Sequence, residues 1–176
     1  MKKIILFFAL ATMGCTQTKP TVNKTNSATE ITETTYTYFQ LEGLDIKIPG
    51  TWQALEYKKV SGQQFFRNSE NVYLGIAKRP KESYSFYKAQ NSDFDNVKSY
   101  FKWDFDYMIE NGLQSKLLFE DKESKFVVWQ SGDKTANTML YGNCENHFLN
   151  VLVVSDDWDQ EKKISFLKEI YFLNNK

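Results

Sequence analysis

The sequence predicts an α+β domain: an antiparallel sheet, made of N-terminal strands and a C-terminal four-strand meander, packed with one long central helix and a C-terminal helix. Three observations predict this class. Segments of alternating polarity, separated by turn residues, occupy residues 36–78 and 116–154. Two other segments, 91–111 and 156–174, repeat apolar residues every three or four positions, as helices do. Aromatic residues, which are common in strands, make up 16% of the chain.

The composition is that of one ordered domain that does not bind nucleic acid. The chain has 176 residues, of which 41% are hydrophobic and 25% charged, and this suits a single folded domain. Basic and acidic side chains number 22 each, and removing Lys2 and Lys3 leaves 20 basic against 22 acidic. Such a balance attracts neither nucleic acid nor anionic lipid. Arg67 and Arg79 are the two arginines, so the chain has no guanidinium cluster for phosphate binding.

The first 14 residues resemble a bacterial lipoprotein signal peptide. Lys2 and Lys3 precede an apolar run of ten residues, Ile4–Met13, a length typical of the hydrophobic region of a signal. This run is too short to span a membrane, which takes about 20 apolar residues. Thr12–Cys15 (TMGC) resembles the lipobox, in which the cysteine is acylated and becomes the new N-terminus. The resemblance implies that Cys15 carries the lipid anchor, with palmitate among its acyl chains.

Two further observations bear on where the mature protein resides. Thr16 follows the cysteine, where similar enterobacterial lipoproteins retained at the inner membrane have aspartate, so we expect the outer membrane. Whether the domain lies on the periplasmic or the surface-exposed face stays open. An ordinary cleavage site at Ala9–Ala11 (ALA) is the alternative, but it leaves only Ile4–Phe8 as the hydrophobic region, which is shorter than usual.

Residues 15–35 are predicted to form a flexible tether, and residues 36–176 a single globular domain. From Thr16 onward the tether is rich in Thr, Asn, Lys and Glu and has no hydrophobic period, so it cannot bury enough surface to become ordered. A coil of this length spans about 25 Å on average, which is enough to hold the domain clear of the lipid headgroups.

The N-terminal part of the domain predicts short strands. Residues 36–48 alternate between apolar and polar side chains until Pro49 and Gly50 form a turn. Three further strands are predicted at Leu55–Val60, Gln64–Arg67 and Val72–Lys78. Pro80 ends the last of them, because proline cannot donate a hydrogen bond to the sheet.

Residues Asn91–Asn111 form the clearest predicted helix. Ser92 or Asp93 is the expected N-cap, and Gly112 follows the C-terminal end. The spacing of the apolar residues gives one inward face. That face is made of Phe94, Val97, Phe101, Phe105, Met108 and Ile109.

The C-terminal half predicts an antiparallel meander followed by a helix. The strands are expected at Lys116–Glu120, Phe126–Ser131, Thr138–Cys144 and Phe148–Val154. Ser155 or Asp156 is the expected N-cap of the last helix. Its inward residues are Ile164, Leu167, Ile170 and Tyr171. Residues 156–159 (DDWD) lack the glycine and distal glutamate of a calcium loop, so we interpret them as the start of this helix.

The order of elements, together with the segment Leu44–Trp52 (LDIKIPGTW), resembles the PsbP-like and DcrB-like fold. Members of that fold often begin with an alternating strand that runs into proline, a turn residue and tryptophan. The resemblance covers residues 36–174 and implies a binding or accessory module. It carries over no catalytic residue.

Three aromatic residues on the long helix form a candidate partner-binding stripe. Tyr100, Trp103 and Tyr107 are spaced by three and four positions and lie opposite part of the apolar face. Tyrosine and tryptophan combine apolar area with a polar group and are common at binding surfaces. The alternative is intramolecular: the loop Lys81–Gln90, or the N-terminal strand, covers this side of the helix.

Cys144 and His147 flank Glu145-Asn146, and a tight hairpin there would place the thiol opposite the imidazole. A Cys–His pair can generate a thiolate nucleophile. The alternative is that Cys144 is a small buried strand residue and His147 a polar residue at the turn. No second motif supports an enzyme.

These observations favour a lipid-anchored cell-envelope protein that acts as a non-enzymatic protein-binding or accessory module, with another envelope or secreted protein as partner. A carrier of a small apolar ligand, bound between the sheet and the long helix, is the alternative, and a thiol enzyme using Cys144 and His147 is a third. No cofactor or metal is expected.

Overall fold

The computed structural model describes residues 35–132 and 136–175. The predicted signal peptide, Cys15 and the tether up to residue 34 lie outside the described residues.

The described chain forms nine strands and two α-helices, all strand pairs being antiparallel. The strands are β1 (Tyr36–Leu41), β2 (Leu44–Pro49), β3 (Gln53–Lys58), β4 (Gln63–Arg67), β5 (Tyr73–Pro80), β6 (Ser115–Asp121), β7 (Phe126–Ser131), β8 (Asn137–Cys144) and β9 (His147–Val154). The helices are α1 (Asp93–Glu110) and α2 (Gln160–Asn174). Strands β3 to β9 form a seven-stranded sheet in the order β3-β4-β5-β9-β8-β7-β6, and β1 pairs with β2 in a separate hairpin.

The seven-stranded sheet separates two apolar clusters, because successive side chains of its central strands point to opposite faces. On one face, Val127 and Trp129 of β7 pack with α1. On the other, Phe126 and Val128 pack in the cluster that holds α2 and the β1–β2 hairpin. Helix α1 therefore lies on the opposite side of the sheet from α2.

The predicted α+β class, the antiparallel meander and both helices are confirmed. Helix α1 begins as expected after Ser92, whose hydroxyl accepts the N–H of Asp95 at 3.1 Å. The N-terminal strands differ from the expectation. Residues 36–48, expected as one strand, belong to two strands, β1 and β2, which form their own sheet. Glu42 and Gly43, both with positive φ, turn the chain sharply between them. Strand β3 begins and ends two residues before the expected Leu55–Val60.

The expected N-cap of the last helix is wrong. Asp159 caps α2, and its carboxylate accepts the N–H of Lys162 at 2.7 Å. Ser155 instead accepts the N–H groups of Asp157 and Trp158, at 3.2 and 3.1 Å, and so closes a turn. This turn buries the Trp158 ring before the helix begins.

The hairpin is fastened to the last turn of α2 by one side chain. The amide of Asn174 accepts the N–H of Lys47 and donates to its carbonyl, both at 2.8 Å. Ile46 and Ile48 add fully buried side chains to the same contact.

None of the helices in the described part of the chain is long and apolar enough to cross a membrane.

Candidate functional site

A pocket of about 360 Å³ opens between α1 and the sheet, beside the turn that joins β3 to β4. Its volume lies within the range of small-molecule sites. Aromatic rings and a few polar groups line it, a combination typical of such sites. Among the polar groups are those of Arg79, Tyr84, Tyr100, Asp104, Tyr141 and Asn150.

The segment between β5 and α1 forms one wall of the pocket and is held by ion pairs. The ammonium of Lys81, which is buried, lies 2.8 Å from Asp93 at the start of α1, and Lys125 contacts the same carboxylate at 2.8 Å. Further along, Asn96 bonds both the N–H and the carbonyl of Lys88, at 3.0 and 2.9 Å. These contacts fix the segment that carries Tyr84 over the helix.

A group of tyrosine hydroxyls lies at the base of the pocket. Tyr100 and Tyr84 are joined through their hydroxyls at 3.3 Å, and the rings of Tyr100 and Tyr141 stack with their centroids 4.3 Å apart. Tyr141 donates its hydroxyl to the carboxylate of Asp104. Burial raises the pKa of Tyr100 and of Tyr141 well above the ordinary value, so these hydroxyls keep their protons at physiological pH.

Asn150 contributes a buried acceptor. Its side-chain N–H donates to the hydroxyl of Tyr100 at 3.1 Å, while its Oδ1 has no hydrogen-bond partner among the described residues. The residue is only 8% exposed, so bulk water does not readily satisfy this oxygen.

Asp104 places a carboxylate on the same wall. Burial raises its pKa, and the hydrogen bond from Tyr141 only partly offsets this. No lysine or arginine of the described residues forms an ion pair with it. The site therefore contains a partly desolvated carboxylate that lacks a described cationic partner.

Arg79 faces the pocket from β5. Its Nε is buried and has no hydrogen-bond partner in the described part of the chain. The side chain lies against Gly62 of the β3–β4 turn, where an added Cβ would be 2.7 Å from Arg79 Cδ. Glycine at this position, with φ of +66°, thus leaves room for the arginine.

The structure divides the predicted aromatic stripe of Tyr100, Trp103 and Tyr107. Tyr100 is buried beneath Tyr84 and Phe86, which come from the loop that was the intramolecular alternative. Trp103 and Tyr107 remain 53% and 57% exposed. Trp103 forms part of the pocket wall, and Tyr107 lies one turn further along the helix.

The Cys144–His147 pair is a cross-strand pair, as the hairpin predicts. Cys144 is 1% exposed, and its Sγ donates to the backbone carbonyl of Asn174 at 3.0 Å. The thiol thus points into the apolar cluster around α2 and gives its proton to a carbonyl, which is the arrangement of a structural cysteine.

A second, larger groove of about 670 Å³ lies between the β1–β2 hairpin and the end of α2. Some of its polar groups already bond one another: Asn174 bonds the backbone of Lys47, and Gln40 bonds Asp45. Within the described ranges, no group of His, Cys, Asp and Glu side chains could hold a metal ion. The pocket beside α1 is therefore the better candidate site.

An apolar pocket between the sheet and the long helix was the alternative interpretation of the sequence, and it did not include these polar residues. Asp104 lies among the aromatic residues of α1, four positions after Tyr100, and this is a detectable signal. Asn150 interrupts the apolar run of β9, which is another. Arg79 and Tyr141 give no such signal, because only the strand register brings them to the same face.

No protein-family model and no curated protein matches the chain. Among solved structures, it is similar to the solution structure of cyanobacterial PsbP (CyanoP) from Synechocystis sp. PCC 6803, with a TM-score of 0.49 and 12% sequence identity. The match covers 85% of this chain and 95% of that chain. The likeness concerns the backbone and assigns no role to any residue of the pocket.

Proposed function

We propose that this protein is a non-enzymatic binding protein of the cell envelope that holds a small molecule in the pocket between α1 and the sheet. The supporting observation is the pocket's polar lining, in which Asn150 Oδ1 and Arg79 Nε are buried without described partners. Leaving such an atom unsatisfied costs about 1–3 kcal/mol. Both residues line the pocket, where a ligand with donors and acceptors meets polar side chains. The lining is more polar than the apolar pocket expected from the sequence.

The proposal includes a lipid anchor on Cys15 and residence at the outer membrane. It is supported by the TMGC segment, by the short apolar run before it and by Thr16 after it. Two or three acyl chains suffice for stable anchoring. Mass spectrometry of the mature N-terminus is expected to find an acylated Cys15, whereas an unmodified chain that begins at Thr12 would contradict the anchor.

A blocking variant tests the pocket whatever the ligand's chemistry. Ser61 is an exposed residue of the β3–β4 turn at the pocket's rim, so Ser61→Trp introduces bulk over the opening and leaves the polar lining intact. Ser69→Trp is the matched control, because Ser69 is also exposed and lies in a turn outside the pocket.

The assay is thermal unfolding of the full chain in the presence of a panel of metabolites, compound by compound. A ligand present at a hundred times its Kd stabilises the folded state by about 2.7 kcal/mol. We expect at least one compound to raise the Tm of the wild type and of the control Ser69→Trp. The same compound should not raise the Tm of Ser61→Trp. Equal shifts in both variants would refute the pocket as the binding site.

A second candidate function, docking of an envelope protein, is favoured by the exposure of Trp103 and Tyr107. Tyr107 does not line the pocket, so Tyr107→Ala tests the surface separately. Tyr38→Ala, at a tyrosine that is 71% exposed on the hairpin, is the control. Crosslinking in membranes is expected to lose a partner only with Tyr107→Ala, and identical crosslinks in both variants would contradict this role.

A further inference from the structure

Two side chains of the pocket wall present hydrogen-bond acceptors. Asn150 Oδ1 and the carboxylate of Asp104 both accept, and in the described residues no cation pairs with Asp104 and no donor reaches Asn150 Oδ1. Trp103, the residue before Asp104, adds an aromatic surface, which favours cations electrostatically. A protonated amine has the positive charge and the N–H donors that complement these acceptors.

Arg79, on the same pocket wall, presents donors. Arg79 brings a guanidinium whose Nε is buried without a described partner, and none of the described carboxylates forms an ion pair with it. The planar guanidinium matches a carboxylate, which can accept two parallel hydrogen bonds from it.

The two charges line one pocket without an ion pair between them, and each affects the pKa of Tyr84. Burial raises the pKa of Tyr84, the charge of Arg79 counteracts the increase, and the charge of Asp104 adds to it. The cavity of about 360 Å³ equals the volume of roughly a dozen water molecules, which fits a ligand of about that many non-hydrogen atoms.

We propose that the ligand is a free amino acid or a similarly small zwitterion, whose ammonium group bonds Asp104 and whose carboxylate bonds the guanidinium of Arg79. This inference rests on the proposed function, because it names the ligand class of the same pocket. It assigns Asp104 to one end of the ligand and Arg79 to the other, and so predicts different effects for their variants.

Isothermal titration calorimetry of the full chain with each of the twenty amino acids provides the first test. The tightest binder is then compared with its decarboxylated amine and with its deaminated acid. Each analogue lacks one charged contact, so we expect it to bind at least about tenfold more weakly.

Variants of Asp104 and Arg79 provide the second test. Asp104→Asn is expected to weaken the amino acid by about 10–100-fold but to leave the deaminated acid unchanged, because that analogue has no ammonium group. Arg79→Gln is expected to weaken the amino acid similarly and to leave the decarboxylated amine unchanged. Asp104→Asn also removes a partly desolvated charge, so its Tm is expected to equal or exceed that of the wild type, which separates lost binding from lost folding.

The outcomes separate this inference from the function on which it rests. If a neutral compound such as glucose binds, and Ser61→Trp abolishes its binding, the zwitterion assignment is wrong while the pocket's function stands. If amino acids bind equally to wild type, Asp104→Asn and Arg79→Gln, the assignment is likewise wrong. If no compound distinguishes Ser61→Trp from Ser69→Trp, both proposals fail.

Discussion

Gly142 of β8 lies directly beneath the ring of Tyr171 from α2, and this contact makes Gly142→Ala a sharp test of the packing. A Cβ added at Gly142 would be 2.2 Å from Tyr171 Cε2 and 2.7 Å from its Cδ2. The ring is fully buried, and its hydroxyl oxygen lies 2.5 Å from the carbonyl oxygen of Ser124 and 2.9 Å from that of Asn143, which share its one proton. The ring therefore cannot move aside without disturbing these hydrogen bonds.

The expected cost follows from these two effects. Overpacking a well-filled core costs about 1–3 kcal/mol, and each weakened hydrogen bond adds about 0.5–1.5 kcal/mol. We expect Gly142→Ala to lower the free energy of unfolding by about 4 kcal/mol, a large part of the 5–15 kcal/mol typical of domains. The corresponding fall in Tm is about 15 °C for a domain of this size.

Urea denaturation of the full chain measures this cost, with Gly75→Ala as the matched control. Gly75 is also a strand glycine, but its added Cβ would lie 3.0 Å from the half-buried ring of Phe65, which can shift. We expect the control to cost less than about 1 kcal/mol. In a Tyr171→Ala background, Gly142→Ala should also cost little, because the clashing ring is gone. A loss below 1 kcal/mol in the wild-type background, or one that persists without the ring, would refute the reasoning.

Three further outcomes can be measured on the same material. Asn174→Ala removes two hydrogen bonds to the backbone of Lys47, so amide exchange in β2 should accelerate by at least about tenfold while the central strands keep their protection; uniform acceleration would contradict a local role. Cys144 should react with a disulfide reagent at least about 100-fold more slowly in the native than in the unfolded chain. Fast labelling of the native chain would contradict a structural role for Cys144. Burial raises the pKa of Asp93, but hydrogen bonds from its two lysine partners outweigh burial, so the pKa of Asp93 in the folded state is lowered. Asp93 therefore adds stability above about pH 4, and this stability is lost as the pH falls through the folded-state pKa. Asp93→Asn should flatten the acid-side loss of stability, and an unchanged curve would argue against these ion pairs.

The sequence was sufficient where local patterns determine the structure. Alternation located the meander strands to within about one residue, and the serine before an apolar period identified the N-cap of α1. The opposition of Cys144 and His147 followed from the two-residue turn alone. The start of α2 was mispredicted because Ser155, Asp156 and Asp159 are all good caps, and only the burial of Trp158 selects the last.

A pocket between the sheet and the long helix was only an alternative interpretation of the sequence, and its polar lining was not predicted. Arg79, Asp104 and Asn150 belong to β5, α1 and β9, and they meet only once the strand order and the helix position are set. A single sequence does not specify the order of the strands in the sheet. The exposure of Trp103 and the burial of Tyr100 likewise depend on where the loop before α1 lies.

The β1–β2 hairpin also determines how the domain responds to force. If the chain is held at Cys15, as proposed, tension enters the described residues at Thr35. The next residue, Tyr36, is the first of the hairpin and pairs with its last, Pro49. Load therefore enters and leaves at the same end, so the hydrogen bonds between β1 and β2 break one after another, as in unzipping, and do not share the load. The hairpin packs in the apolar cluster on the α2 face of the sheet, whereas the pocket lies on the α1 face. A pull from the membrane would thus lengthen the tether by one hairpin before it deformed the ligand site.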